Sequence, residues 1–184
     1  MRWLIWVPSM APDVVKLPWP ARPNIEEVLQ HFLEDRTESL APATSRSYAG
    51  VIQLFTISMN HYGYEPLSKA EEAAFHRFYD ARGDEHREFC QVFGPQKIPQ
   101  NVGEFLGYFM PRKVVGSKAL NQAARVVIRR LARWLCRNGH IDKDAAAAMI
   151  TRSSALCSAR MDAAASGSAC ISGSPDASPI NSRY

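Results

Sequence analysis

Apolar residues along this chain recur at steps of three and four, and over no useful length do they alternate with polar ones. The first spacing lines one face of an α-helix, whereas a half-buried strand needs a period of two. The pattern repeats in successive segments: Ile25, Val28, Leu29, Phe32 and Leu33, then Tyr48, Val51, Ile52, Phe55 and Met59, then Phe75, Phe78 and Tyr79, then Phe105, Leu106 and Phe109, and finally Leu120, Ala124, Val127, Leu131, Trp134 and Leu135. The chain is therefore expected to be all-α, a compact bundle of five or six helices over residues 24–150.

Capping chemistry sets the expected ends. Asn24 is a good N-cap, with Glu26 and Glu27 at the positive end of the helix that follows to about Arg36. Leu40-Ala41-Pro42 breaks that helix, and a second runs from about Ala43 to Tyr62, with Gly63 expected as its left-handed terminator. Ser68 and Glu71 form the S-x-x-E capping box of a third, which Gly83 closes. A short helix from Asp84 to Val92, another from Val102 to Met110 stopped by Pro111, and a long one from Ser117 to Asn138 capped by Gly139 complete the series, with Ala145–Ala148 able to extend a last short helix.

The flanks differ in texture. Pro8, Pro12, Pro18, Pro20 and Pro23 make residues 1–23 a flexible, extended arm rich in proline and tryptophan. Its apolar start ends at Pro8, short of a secretory signal, and no run of about 18 apolar residues is present to cross a membrane. Residues 151–184 are mostly Ala, Ser and Gly, and are expected to be a disordered tail. Cys90, Cys136, Cys157 and Cys170 form no CxxC pair, which favours a reduced, cytoplasmic setting.

Charge is partitioned more sharply than the net +4 shows. Residues 112–143 hold nine Lys or Arg and one acid, Asp142, so 9 − 1 gives +8, whereas residues 24–111 hold seven bases and thirteen acids, so 7 − 13 gives −6. On a helical wheel of about 100° per residue, the apolar set of the long helix lies within about 60° of Leu120, and Lys118, Arg125, Arg129, Arg133, Arg137 and Arg130 fill the opposite half. The row is about 20 Å long. Like charges at i, i+4 cost a few tenths of a kcal/mol each, and arginine makes bidentate contacts with phosphate. The face suits DNA or another polyanion, and an acidic protein partner is the alternative, which would make the chain an interaction adaptor.

No enzyme constellation accompanies this face. The sequence has no G-x-S-x-G, no G-x-G-x-x-G and no P-loop, so no catalytic residue and no cofactor is assigned. His76 and His86, with Asp80 and Asp84 between them, lack the spacing of a metal site. Asp80, Asp84, Glu85 and Glu88 read as a solvated turn. Tyr62, Tyr64 and Tyr108 are the aromatics that could stack on bases if exposed.

The order of these segments resembles the N-terminal SAM-like, core-binding domain of tyrosine recombinases and phage integrases. The likeness covers about residues 24–142. It rests on Leu40-Ala41-Pro42-Ala43-Thr44-Ser45-Arg46-Ser47-Tyr48 opening a long helix that ends in Tyr62-Gly63. It rests also on Arg125-Val126-Val127-Ile128-Arg129-Arg130-Leu131-Ala132-Arg133-Trp134-Leu135 leading to Asn138-Gly139-His140-Ile141. In that family the domain is a small helical bundle that clamps DNA opposite the catalytic domain. The resemblance implies a DNA-binding role in recombination, with Thr44 and Arg46 at the DNA-facing start of the second helix; Lys113 is expected to add to the same basic edge. The family's catalytic Arg, His-x-x-Arg and Tyr have no counterpart here, and Tyr184 is not read as a nucleophile. The expectation is the binding half alone.

Overall fold

The structure, a computed structural model, describes residues 20–38 and 40–166. Its elements are α1 (Ile25–Thr37), α2 (Pro42–Tyr62), α3 (Lys69–Tyr79), α4 (Phe89–Val92), α5 (Ile98–Glu104), α6 (Met110–Lys113), α7 (Lys118–Arg137) and α8 (Lys143–Ser166). Two 3₁₀ turns, Gly83–Glu85 and Pro95–Lys97, and a π-helical turn, Phe105–Phe109, join them. The described residues are all-α, with no strand among them.

The caps of α1, α3 and α7 that the sequence predicts at Asn24, Ser68, Ser117 and Gly139 form. The Asn24 side chain accepts from the Glu27 amide at 2.9 Å while the Glu27 carboxylate accepts from the Asn24 amide at 3.0 Å. Ser68 and Glu71 repeat the arrangement at the start of α3. Ser117 caps α7 by accepting from the Leu120 amide. At the other end of α7, Gly139 adopts φ +72°, its amide donates to Cys136 O and the His140 amide donates to Leu135 O at 2.9 Å. Those two bonds are a Schellman motif, which satisfies carbonyls that would otherwise be left bare.

α2 runs through the middle of the bundle and packs against α1, α4, α5 and α7, while α7 packs against α2 and α8. Two aromatic groups fill the interior. Phe32, Tyr48 and Trp134 join α1, α2 and α7. Phe75, Phe89 and Phe93 join α3 to α4 and the turn after it. Asn60 ties α2 to α4, accepting from the Cys90 amide at 3.0 Å and donating to Glu88. Cys90 and Cys136 are both free thiols, and burial pushes the Cys90 thiol well above its ordinary value, with Glu26 and Glu88 adding to the shift.

Four expectations change. Gly63 is right-handed (φ −68°), so it is not there to turn the chain. A Cβ at Gly63 would stand 2.5 Å from Met59 O and 2.9 Å from the Phe89 ring, so glycine is required by close approach. Pro111 does not stop its helix: the π turn widens the register just before it, with the Met110 amide reaching back to Phe105 O, and the helix runs on past the proline. The helical stretch also begins earlier than Val102, at Ile98, and continues to Lys113. Tyr79, expected on the buried side of α3, is 47% exposed at the last turn of the helix, its ring against only Phe75 and His86 among the ring contacts of the described residues. α3 itself ends at Tyr79, four residues before Gly83, whose φ of +62° instead opens a 3₁₀ turn.

The last helix also runs further than expected. α8 continues to Ser166, past the boundary at residue 150, with Ser153 buried and Arg152 donating to Pro99 O at 2.9 Å. The arm over residues 1–19 and the end of the tail over residues 167–184 lie outside the described residues.

Candidate functional site

α7 positions most of the basic residues. Ala124, Val127, Ile128, Leu131, Ala132, Trp134 and Leu135 are buried, which covers more of the helix than the stripe centred on Leu120. Ile128 and Ala132 extend the buried sector to about 120° on the wheel, because α7 is flanked by both α2 and α8. The arginines split accordingly. Arg125 and Arg129 stand at the margin and are half-buried, whereas Arg130, Arg133, Arg137 and Lys118 are exposed.

The exposed arginines have not been neutralised from within. Among the described residues, no carboxylate lies within ion-pair distance of Arg129, Arg130, Arg133 or Arg137. The contrast with a nearby open groove of about 650 Å³ is instructive. There Arg22 pairs with Glu27, and Lys97 pairs with Glu71 at 2.7 Å, so both cations already have an acid. Burial alone would raise the Glu71 carboxyl, but the Lys97 ammonium and Ser68 outweigh it and hold the group below its ordinary range.

Trp134 fixes the rotation of α7. Its indole N–H donates to Asp35 Oδ2 at 2.8 Å, across to α1. His31 meets the indole edge-on at 5.3 Å, and His140 stacks on it at 5.6 Å. Desolvation, with the nearby His31 adding to it, lowers the His140 pKa from its ordinary 6.5. Pattern reasoning gives this histidine no role, and the structure shows that it braces the tryptophan. Its only sequence signal is its place at the second position beyond the helix cap.

The remaining basic residues divide. Arg130 lies over the Tyr48 ring at 6.0 Å, which brings the first turns of α2 beside α7. Thr44 is one turn before Tyr48 on the same side and is exposed. Arg46 is exposed too, but it is turned about 160° from Tyr48 around α2 and stands apart from that contact. Lys113 ends α6, and it shares the Tyr108 ring with Arg112. Tyr108 is half-buried, edge-on to Tyr62, with cations over its ring, so it offers no free face for a base. Tyr64, by contrast, is 45% exposed.

The acidic turn and the histidines are held by other partners. His86 Nδ1 pairs with Tyr79 O at 2.7 Å, while His76 is within 4 Å of Glu72 and Asp80. Among the described residues no cluster of three metal-ligating side chains forms, and no helix is long and apolar enough to cross a membrane. What the α7 surface can do chemically is attract and orient a polyanion. Comparison of the chain with models of protein families, with curated proteins and with solved structures finds no match.

Proposed function

We propose that the chain is a non-enzymatic, DNA-binding helical module of the kind its resemblance to the recombinase core-binding domain implies, and that α7 supplies the phosphate contacts. The observation that carries this reading is the row Arg130, Arg133 and Arg137, exposed and without a paired acid among the described residues, with Lys118 at the other end of the same helix. Three guanidinium groups that repel one another and have no paired carboxylate among the described residues lower the stability of the free chain slightly. A duplex would reverse that term, since phosphate takes bidentate arginine contacts and releases counterions when it does so. Thr44, near Arg130, extends the surface by a hydroxyl. Arg125 and Arg129 would reach it only by their heads, and Arg46 serves another part of the surface.

The test is the double variant Arg133→Glu/Arg137→Glu. Both side chains are exposed, so the helical circular dichroism should be unchanged. Retention of the full chain on immobilised duplex DNA should be lost, because two attractive contacts become repulsive. Retention equal to that of the unaltered chain would refute the reading. Salt-sensitive dimerisation without affinity for duplex would instead assign the face to an acidic protein surface.

A further inference from the structure

Four residues, Val114 to Ser117, join α6 to α7. The Gly116 amide donates to Val114 O at 2.8 Å. A bond from i to i+2 closes a three-residue γ-turn and puts its central residue at the apex, here Val115. The apex is held from both sides. Val114 packs half-buried against the core. Gly116 lies so close to α7 that a Cβ on it would come within 3.0 Å of Leu120 Cδ2. Val115 is left completely exposed, at 109% of its reference area, against 47% for Tyr79.

Nothing in the fold calls for valine there. Turn tips ordinarily carry glycine or small polar residues, and a valine that buries nothing contributes nothing to folding. Its surroundings are uniformly basic. Arg112, Lys113 and Lys118 are exposed around it, and between Glu104 and Asp142 the sequence has no acid. The Tyr108 ring gathers two of these cations at the root of the turn, with Arg112 at 5.1 Å and Lys113 at 6.0 Å.

We propose that this turn is a wedge for the minor groove of duplex DNA, with Val115 entering the groove and Lys113 and Lys118 holding the phosphates on its two edges. The inference rests on the duplex-binding reading above. Minor grooves are about 6 Å wide and rimmed by phosphate, and proteins that insert an apolar side chain there unstack a base step. Lys113 and Lys118 are two and three residues from the apex, within about 8 and 11 Å along the chain, which suffices to reach both rims. The turn also leads directly into α7, so one duplex could engage the tip and the arginine row together. A bilayer is less well served, since one valine buries too little to hold the protein at a membrane surface.

The experiment uses the full chain and an A·T-rich duplex carrying 2-aminopurine at several steps, whose fluorescence rises on unstacking. Binding of the unaltered chain should raise it. Val115→Ser removes no charge and no packing, so the fold and the salt dependence of binding should persist. Its affinity should fall by about three- to tenfold, and the fluorescence rise should vanish. A Val115→Ser variant that matches the unaltered chain in both respects overturns the wedge and leaves the α7 reading standing. Absence of any duplex binding by the unaltered chain overturns both. Val115-dependent retention on phosphatidylserine vesicles, without a fluorescence rise on DNA, overturns the wedge in favour of a membrane contact.

Discussion

Replacing Trp134 with phenylalanine tests how α7 is held in rotation. The indole is 2% exposed and gives its N–H to the Asp35 carboxylate at 2.8 Å. A hydrogen bond to a charged acceptor contributes about 1.5–3 kcal/mol, and the lower end applies here because Asp35 is exposed and regains water when the donor is lost. The smaller ring leaves a void of roughly 40 Å³, which adds about 1 kcal/mol at about 24 cal/mol per Å³. The sum is a loss of about 2–3 kcal/mol. Asp35→Ala should cost about 1–3 kcal/mol, because it strands a buried donor. Urea denaturation followed by circular dichroism gives each value, and the double variant gives the coupling. A coupling of about 1 kcal/mol or more is expected. Additive losses, or a Trp134→Phe variant as stable as the parent, would refute the claim that this bond sets the angle at which the arginines are presented.

Gly63→Ala should destabilise the chain by about 1–3 kcal/mol, since the added methyl meets a backbone carbonyl and a buried ring that cannot both move. A left-handed glycine would give a similar loss on substitution by alanine but recover with asparagine; here Gly63→Asn should be worse, again by urea melting. His140 carries a pH signature. Its pKa is lowered in the fold, so the unfolded chain binds the proton more readily, and stability should fall as pH drops below 6.5. His140→Phe, which keeps the stack on Trp134, should flatten that part of the profile in thermal melts between pH 7 and pH 5.

Much of the fold was legible because helices declare themselves locally. The spacing of Ile25, Val28, Leu29 and Phe32, the Asn24 and Ser68 boxes and the Gly139 terminator are all settled within a few residues of one another, and each forms as read. What the pattern misses is set by distant neighbours. Whether Gly63 needs a left-handed backbone or merely room depends on Phe89, which is 26 residues away in sequence. The π turn before Pro111 depends on packing that lets Phe105 and Phe109 both point inward. The basic face was legible as a face, but its width was not. Burial of Ile128 and Ala132 narrows it to Arg130, Arg133 and Arg137, and only tertiary packing against α2 and α8 does that. Arg46 illustrates the same limit, being basic and near in sequence to Tyr48 yet turned away from it.

The most direct test of the account is the salt dependence of duplex binding, followed by fluorescence anisotropy over a range of monovalent salt. If Arg130, Arg133, Arg137, Lys118 and Lys113 each neutralise a phosphate, log K should fall against log salt with a slope of about −4.5, and Arg133→Gln/Arg137→Gln should reduce it to about −2.7. A slope near zero, or one that the double variant leaves unchanged, would contradict the assignment of α7 to the DNA backbone.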